Sequence, residues 1–237
     1  MKEIKLSKRL KVIADFVRPD ALVADIGTDH GYIPVYLVQN KIARTVIASD
    51  INIGPIESAR SAAVKYGVSD NIKFVCAPGL DGIKEGEIDT AIIAGMGGET
   101  IIGILDAAPW AHARGVRLIL QPQSKESELI KWLFDSRYEI LDGKLVEDSG
   151  KLYMVMVAKA AQRRSAQTSK RNSIEDIFLQ NKDPLLPEYL NERILKLRRV
   201  IAGMRQAKNT DICEISYVET ELSKLCKLKG ETEKWLK

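Results

Sequence analysis

The sequence is poor in the residues that build covalently linked or metal-stabilised folds. Its 237 residues include only three cysteines, which are odd in number and widely spaced, and only two histidines. We therefore expect no disulfide framework, no metal site and a reducing, cytoplasmic environment. No apolar run approaches the roughly 18 residues that span a bilayer, and the first five residues lack the apolar core of a signal peptide. The chain is expected to be soluble, without a membrane partner.

What is present is typical of a globular protein with an uneven charge distribution. Apolar residues make up 45% of the chain and charged residues 29%. The net charge of +4 divides into −1 over residues 1–160 and +5 over residues 161–237, and a second basic cluster lies within the first 18 residues. This surplus is compatible with solvated helix faces and equally with a nucleic-acid contact.

Five short apolar segments alternate with segments expected to be helical. They are residues 21–24, 45–50, 72–77, 89–94 and 117–121. One intervening helix is predicted over residues 56–66, because Pro55 and Gly67 lie where proline and glycine favour helix ends. Short apolar strands that alternate with helices predict a parallel sheet covered on both faces.

The end of this series breaks the alternation. Residues 138–146 and 151–160 predict two strands, and the four residues between them are too few for a crossover helix, so the strands must pair antiparallel. Five parallel strands closed by an antiparallel hairpin are typical of class I, Rossmann-like S-adenosylmethionine-dependent methyltransferases, whereas a dehydrogenase would continue the parallel pattern. The predicted fold class is α/β, with this methyltransferase domain over residues 1–160.

Residues 161–237 have a different, helical pattern. Residues 162–171 are polar and basic and predict a linker. Two apolar stripes at helical spacing follow: Leu190, Ile194, Leu197, Ile201 and Met204, then Ile215, Val218, Leu222 and Leu225. With a turn at residues 207–211 they predict an antiparallel coiled-coil hairpin. The hairpin either packs or dimerises, or it binds RNA phosphates, and its arginines, including Arg193, Arg198 and Arg199, favour RNA.

The segment DIGTDHGYIP, residues 25–34, follows the first strand and carries the strongest local signal. Asp25, Gly27 and Gly31 have the spacing of a nucleotide-binding turn, with Asp29 in place of a middle glycine. Asp50, at the end of the second strand, is placed to accept hydrogen bonds from both ribose hydroxyls of a nucleoside cofactor. The alternative for Asp29 is a helix N-cap ahead of Pro34.

Two further segments lie at the ends of the fourth and fifth strands. Gly95, Met96, Gly97 and Gly98 form a turn in which three glycines leave room for a flat base and Met96 offers an apolar contact, although a tight strand-to-helix turn explains one or two of the glycines. Gln121 and Pro122 end the fifth strand at the same predicted edge. The Gln121 amide is expected to bind a base edge or to cap the following helix.

Together, DIGTDHGYIP, the Gly54-Pro55-x-x-Ser58-Ala59 segment, IIAGMGG at residues 92–98 and LILQP at residues 118–122 resemble the bacterial tRNA (adenine(22)-N(1))-methyltransferase family. The resemblance covers nearly the whole chain. The sequence departs from the family pattern at Ser49 and Asp50, at Gly31, at Gln123 and at Ala77.

The resemblance implies a cytoplasmic enzyme that methylates N1 of an adenine in the D-arm region of tRNA with S-adenosylmethionine. It implies cofactor contacts at Asp25, Gly27, Asp29, His30, Gly31, Asp50, Ile51, Gly79, Leu80, Ala94 and Gly95. Expected substrate contacts are Met96, Gly97, Gly98, Gln121, Pro122, Arg193, Arg198 and Arg199. Because the N1-methylated ring is cationic, Asp29 is assigned the catalytic role, as a base or as an electrostatic stabiliser. His30 is expected to orient or pack.

Three other classes of protein share parts of this pattern. A small-molecule methyltransferase would share the first domain but would not need the basic tail. A nicotinamide-dependent dehydrogenase would need the glycine that Asp29 replaces. A non-catalytic RNA-binding protein would not need Asp50. The oligomeric state stays open, with a monomer as the starting expectation.

Overall fold

The computed structural model of the protein describes residues 3–161, 173–206 and 212–232. The chain divides into two compact units, residues 1–174 and 175–237. The predicted domain boundary at residue 160 lies close to the start of the predicted linker, residues 162–171. That linker and the predicted turn at residues 207–211 lie outside the described residues.

The first unit contains a seven-stranded sheet flanked by helices. Its strands are β1 (Ala21–Ile26), β2 (Ala43–Asp50), β3 (Ile72–Cys76), β4 (Thr90–Gly97), β5 (Arg117–Ser124), β6 (Tyr138–Asp148) and β7 (Lys151–Ala160). Its helices are α1 (Lys8–Asp15), α2 (Tyr32–Gln39), α3 (Ile53–Tyr66), α4 (Gly98–Asp106), α5 (Pro109–Ala113) and α6 (Glu126–Asp135), with a short 3-10 helix at Ser69–Asn71.

The strand order is β3-β2-β1-β4-β5-β7-β6. Neighbouring pairs among the first five strands are parallel, and β7 pairs antiparallel with both β5 and β6. The α/β methyltransferase fold class predicted from the sequence is therefore confirmed. Because the order reverses between β1 and β4, the connections after these two strands leave in opposite directions and open a crevice at the carboxyl edge of the sheet.

Several boundaries differ from the sequence predictions for local reasons. Helix α3 begins at Ile53, so Pro55 lies inside its first turn, where a missing N–H costs nothing. It ends at Gly67, whose φ of +70° suits a left-handed C-terminal residue. Strand β6 extends to Asp148, and Ser149 and Gly150, both with positive φ, form a two-residue hairpin turn.

Helix α1 is an addition to the predicted elements. The Ser7 hydroxyl caps it by accepting the Leu10 N–H at 3.4 Å. Its buried residues Val12, Ile13 and Ala14 join one apolar cluster with residues of β1, β4, β5 and β7. Burial of this face fixes the helix on the sheet, and with it the basic residues of its first turn.

The second unit contains the helices α7 (Ile174–Gln180), α8 (Leu186–Gln206) and α9 (Ile212–Thr232). Helices α8 and α9 pack against each other, and because only residues 207–211 join them they run antiparallel. Leu190, Ile194, Ile201 and Leu225 of the two predicted apolar stripes are buried.

Candidate active site

The loop between β1 and α2 lies against the end of β2. The N–H groups of Gly27 and Thr28 both donate to the Ser49 carbonyl, at 2.8 and 3.0 Å. Gly27 has a φ of +75°, and a Cβ there would lie 2.2 Å from the Met96 methyl carbon. The left-handed backbone favours glycine at position 27, and the terminal methyl of the flexible Met96 side chain fills the space next to it.

Gly31 is required for a different close approach. Its φ is +67°, and a Cβ at this position would lie 2.8 Å from the Cβ and 2.9 Å from the Cα of Ala59. Helix α3 therefore packs directly on the loop backbone. The two glycines that sequence analysis assigned to the cofactor loop fix its shape, one against β4 and the other against α3.

Asp25, the acidic residue that begins the DIGTDHGYIP segment, is buried within β1. Its exposed fraction is 5%. Burial raises the pKa of Asp25 to about 7, the nearby Thr28 hydroxyl opposes this rise, and the negative charge of Asp50 adds to it. A carboxyl group with this pKa takes up a proton near neutral pH.

Asp29 lies on the outer surface of the same loop. Its side chain is 73% exposed, and its Oδ2 atom lies 3.6 Å from Nε2 of His30, whose ring stacks on Tyr32 at 5.4 Å between centroids. The N-cap of α2 is Gly31, and no side chain accepts a hydrogen bond there. The helix-cap alternative for Asp29 is therefore wrong, and its carboxylate points to solvent from a backbone with a φ of +48°.

Asp50 is the last residue of β2, and Ile51 follows it. The Asn52 N–H donates to Oδ1 of Asp50 at 2.8 Å, which fixes the carboxylate at the strand end. Ile51 is 65% exposed although it is a large apolar residue. A carboxylate next to an uncovered apolar side chain matches a nucleoside, which offers ribose hydroxyls to the first and a flat ring to the second.

The turn at Gly79 and Leu80, the third predicted cofactor segment, exposes little side-chain surface. Gly79 has a φ of +52°, and a Cβ there would lie 3.0 Å from the Ile104 side chain. Leu80 is fully buried, so its side chain belongs to the core. The contact of Leu80 with a cofactor stays a prediction, which its backbone atoms can meet more readily than its buried side chain.

The glycine turn after β4 serves two purposes. Gly95 is exposed with a φ of +78°, and the nearest atoms to a Cβ there are 3.7 Å away, on Arg9 and Gln123. In contrast, a Cβ on Gly98 would lie 2.4 Å from the Lys125 carbonyl oxygen, so this glycine allows α4 to pack on the β5–α6 connection. Gly98 is therefore a packing glycine, whose substrate contact stays a prediction, and Gly95 keeps open space at the site.

Gly97 and Ala94 flank the open part of this turn. Gly97 is the N-cap residue of α4 and lies near the Ser124 hydroxyl. Ala94 pairs with Gln121 of β5, and the ladder shifts register between Ala94 and Met96. Met96 lies at this irregularity, and its methyl group comes close to Gly27. The predicted substrate turn therefore packs against the predicted cofactor loop at Met96.

Gln121 does not present its amide to the crevice. It is fully buried, its Nε2 atom donates to the Pro122 carbonyl at 2.8 Å, and its Oε1 atom accepts from Nη1 of Arg9 at 2.7 Å. Both ends of the amide are therefore engaged within the protein, and the contact of Gln121 with a base edge stays a prediction. Pro122 is also buried. Arg9 was not among the predicted site residues, and only the position of α1 brings it here.

The three predicted arginines of the second unit differ in their environments. The Arg193 side chain is only 13% exposed, and its guanidinium bonds Glu175 at 2.5 Å and Glu221 at 3.0 Å. Burial lowers the pKa of Arg193, but Tyr189 and the two carboxylates outweigh this and raise it above its usual value. Its charge is thus paired inside the helical unit, and the substrate contact of Arg193 stays a prediction.

Arg198 and Arg199 are exposed on α8. Arg198 lines an open groove of about 430 Å³ between α8 and α9, together with Asn191, Ile194, Leu195, Cys226 and Lys229. The groove has an apolar floor and two cationic side chains at its rim.

None of the helices in the described ranges is long and apolar enough to cross a membrane. Within the same ranges, no group of three or more His, Cys, Asp or Glu side chains could hold a metal ion.

Comparisons with known proteins agree with this geometry. A family model described as a methyltransferase domain matches residues 6–156. Over 166 residues, 70% of either chain, the protein is 42% identical to the tRNA (adenine(22)-N(1))-methyltransferase of Bacillus subtilis.

Two solved structures extend the likeness to nearly the whole chain. The crystal structure of the B. subtilis m1A22 tRNA methyltransferase TrmK matches with a TM-score of 0.77 and 32% identity, covering 97% of this chain and 99% of that one. M. capricolum TrmK in complex with S-adenosyl-homocysteine matches with a TM-score of 0.74 and 26% identity, covering 95% and 98%. The chain belongs to the tRNA (adenine(22)-N(1))-methyltransferase family.

Proposed function

We propose that the protein transfers a methyl group from S-adenosylmethionine to N1 of adenine 22 in the D-arm region of tRNA, and that it does so in the bacterial cytoplasm. The loops after β1, β2 and β4 contain the family's motifs and lie together at one edge of the sheet. This observation carries the proposal. The 42% identity to an enzyme of that specificity supports the choice of nucleotide.

The residues after β1 and β2 suit the cofactor. When bound, S-adenosylmethionine would supply an electrophilic methyl group for attack by the lone pair of adenine N1, and the carbon–sulfur bond would break to leave S-adenosylhomocysteine. Asp50 binds the ribose hydroxyls through the carboxylate oxygen that does not accept the Asn52 N–H. Ile51 packs on the adenine ring of the cofactor, and the backbone at Gly27, Gly79 and Ala94 lines the remainder of its site.

Asp29 acts on the target base. Its exposed carboxylate stabilises the positive charge that develops on the adenine ring, or takes a proton from the exocyclic amine. Gly95 leaves space for the flat ring, and Met96 contacts it. Because N1 lies on the pairing edge of adenine, the target nucleotide must be unpaired or flipped out before it enters the site.

The second unit holds the body of the tRNA. Arg198 and Arg199 are exposed on α8, and the groove between α8 and α9 combines cations with an apolar floor. Phosphate contacts of this kind position an RNA without specifying its bases. Residues 161–237 are thus the tRNA-binding domain of the proposal, and residues 1–160 its methyltransferase domain.

The proposal is tested by incubating the purified protein with an unmodified tRNA transcript and labelled S-adenosylmethionine, followed by mapping of the labelled nucleotide. Label at N1 of adenine 22 is expected. Label on a guanine or on an N6 amine would overturn the N1 mechanism, and label on small molecules alone would favour the other methyltransferase class.

The role of Asp29 has its own variant and control. Asp29→Ala is expected to lower turnover about a hundredfold, with little change in cofactor affinity measured by calorimetry. Asp70→Ala is the matched control, because Asp70 is an exposed carboxylate that precedes β3, at the opposite edge of the sheet. Near-normal turnover of Asp29→Ala would remove Asp29 from the mechanism.

A further inference from the structure

Arg9 is held at the carboxyl edge of the sheet by three contacts. Its backbone N–H donates to Oδ2 of Asp148 at 3.1 Å, which anchors the first turn of α1 to the β6–β7 hairpin. Its Nη1 atom donates to Oε1 of Gln121 at 2.7 Å. Its guanidinium carbon lies 5.4 Å from the centre of the Tyr153 ring. These contacts fix a long, otherwise flexible side chain in one direction.

The partner that orients the guanidinium is an amide in a fixed orientation. Gln121 donates its Nε2 hydrogen to the Pro122 carbonyl, so its Oε1 atom is the one that faces Arg9. A fully buried glutamine whose two ends are both engaged is costly to leave unsatisfied. Gln121 is therefore a positioning residue for Arg9.

The charge of Arg9 acts on a nearby carboxylate: it helps to lower the pKa of Asp148, which accepts the Arg9 backbone N–H. Within residues 3–161, 173–206 and 212–232, no carboxylate oxygen forms an ion pair with its guanidinium. Arg193, by contrast, is paired with two carboxylates. Nη1 of Arg9 would lie 3.7 Å from a Cβ on the exposed Gly95, so the cation borders the open part of the glycine turn.

We propose that Arg9 binds a backbone phosphate of the nucleotide that is methylated, a contact that rests on the function proposed above. The partner must be anionic, because methylation at N1 makes the base itself cationic and a guanidinium against the ring would oppose that charge. A phosphate accepts two parallel N–H donors from one guanidinium, which a lysine cannot reproduce. Arg9 thereby positions the flipped nucleotide beside Asp29.

The test compares Arg9→Gln, Arg9→Lys and Arg114→Gln in the full chain, with unmodified tRNA as substrate. Arg114 is the matched control: it is also an arginine of the first unit, but it precedes β5 at the opposite edge and pairs with Glu85 at 2.6 Å. Arg9→Gln is expected to raise the KM for tRNA at least about tenfold. It should also reduce the slope of log KM against log salt concentration by about 0.7 to 1. Arg9→Lys should recover part of the loss, and Arg114→Gln should behave as the parent protein.

The affinity for S-adenosylmethionine and the melting temperature separate this role from a structural one. An Arg9→Gln protein that keeps both, but loses affinity for tRNA, supports the phosphate contact. Unchanged KM and salt slope, or losses accompanied by an equal loss of cofactor affinity and a lower melting temperature, would overturn it. Failure of the parent protein to methylate tRNA at all would instead refute the proposed function.

Discussion

Replacement of Arg193 by methionine separates a structural arginine from an RNA-binding one. Methionine keeps most of the apolar length and removes the guanidinium that bonds Glu175, Glu221 and the Tyr189 hydroxyl. The Glu175 side chain is only 10% exposed, so its charge is left buried without a partner, which typically costs about 3–5 kcal/mol. Glu221 is 35% exposed and adds less than about 1 kcal/mol.

The expected loss is confined to the helical unit and is best measured by hydrogen exchange. A loss of about 3–5 kcal/mol raises the exchange rates of protected amides in α8 and α9 by about a hundredfold to several thousandfold. Protection in β4 and β5 should stay unchanged. Arg198→Met is the matched control on the same helix, and because Arg198 is exposed its effect on stability should stay within about 0.5 kcal/mol.

The two variants should show the opposite ranking in RNA binding at low temperature, where the helical unit of Arg193→Met is still folded. Arg198→Met should reduce the salt dependence of tRNA binding, and Arg193→Met should not. Unchanged exchange in Arg193→Met, together with a smaller salt slope, would refute the inference that this arginine is a structural residue.

Two further predictions concern the first unit. The raised pKa of Asp25, about 7 against an ordinary value of 3.8, means that the folded state binds the extra proton, so the stability that depends on this group falls as pH rises from about 4 to about 7. The melting temperature of Asp25→Asn relative to the parent protein should therefore increase between pH 5 and pH 8, and a constant difference would contradict the pKa. Gly98→Ala should destabilise the protein by about 1–3 kcal/mol in thermal melts, because its Cβ would lie 2.4 Å from the Lys125 carbonyl oxygen. Gly103→Ala in the same helix meets nothing within 4 Å and should be neutral or stabilising by up to about 1 kcal/mol.

The order of strands and helices could be predicted because it depends on local pattern. Apolar runs of four to six residues separated by helical segments specify a parallel sheet, and the short gap after residue 146 requires an antiparallel pair. The end of β4 could not be predicted, because glycine is depleted in strands and three glycines indicate a turn. In the structure, Met96 and Gly97 still pair with β5, across two shifts of register.

The sequence likewise predicts some parts of the candidate site and not others. Asp29 lies three residues after β1 and Asp50 is the last residue of β2, so their place at the carboxyl edge follows from the sequence once the strands are known. The hydrogen bond between Arg9 and Gln121 joins residues 112 positions apart, so no local sequence pattern predicts it. For Arg193 a signal was present: it lies three residues after Leu190 and four before Leu197, on the apolar side of α8.

Arg9 and Arg193 show why the number of cations in a segment is a poor measure of its affinity for RNA. The affinity of each arginine for a phosphate depends on the acceptor that its guanidinium already bonds. Two carboxylates pair with Arg193 and neutralise its charge within the helical unit. Binding of a phosphate to Arg193 therefore gains little free energy. A neutral amide at Arg9 supplies direction without cancelling charge. In the proposed roles, Arg9 of the N-terminal helix therefore positions the nucleotide at the site of the first unit, and the exposed cations of the second unit contribute affinity for the body of the tRNA.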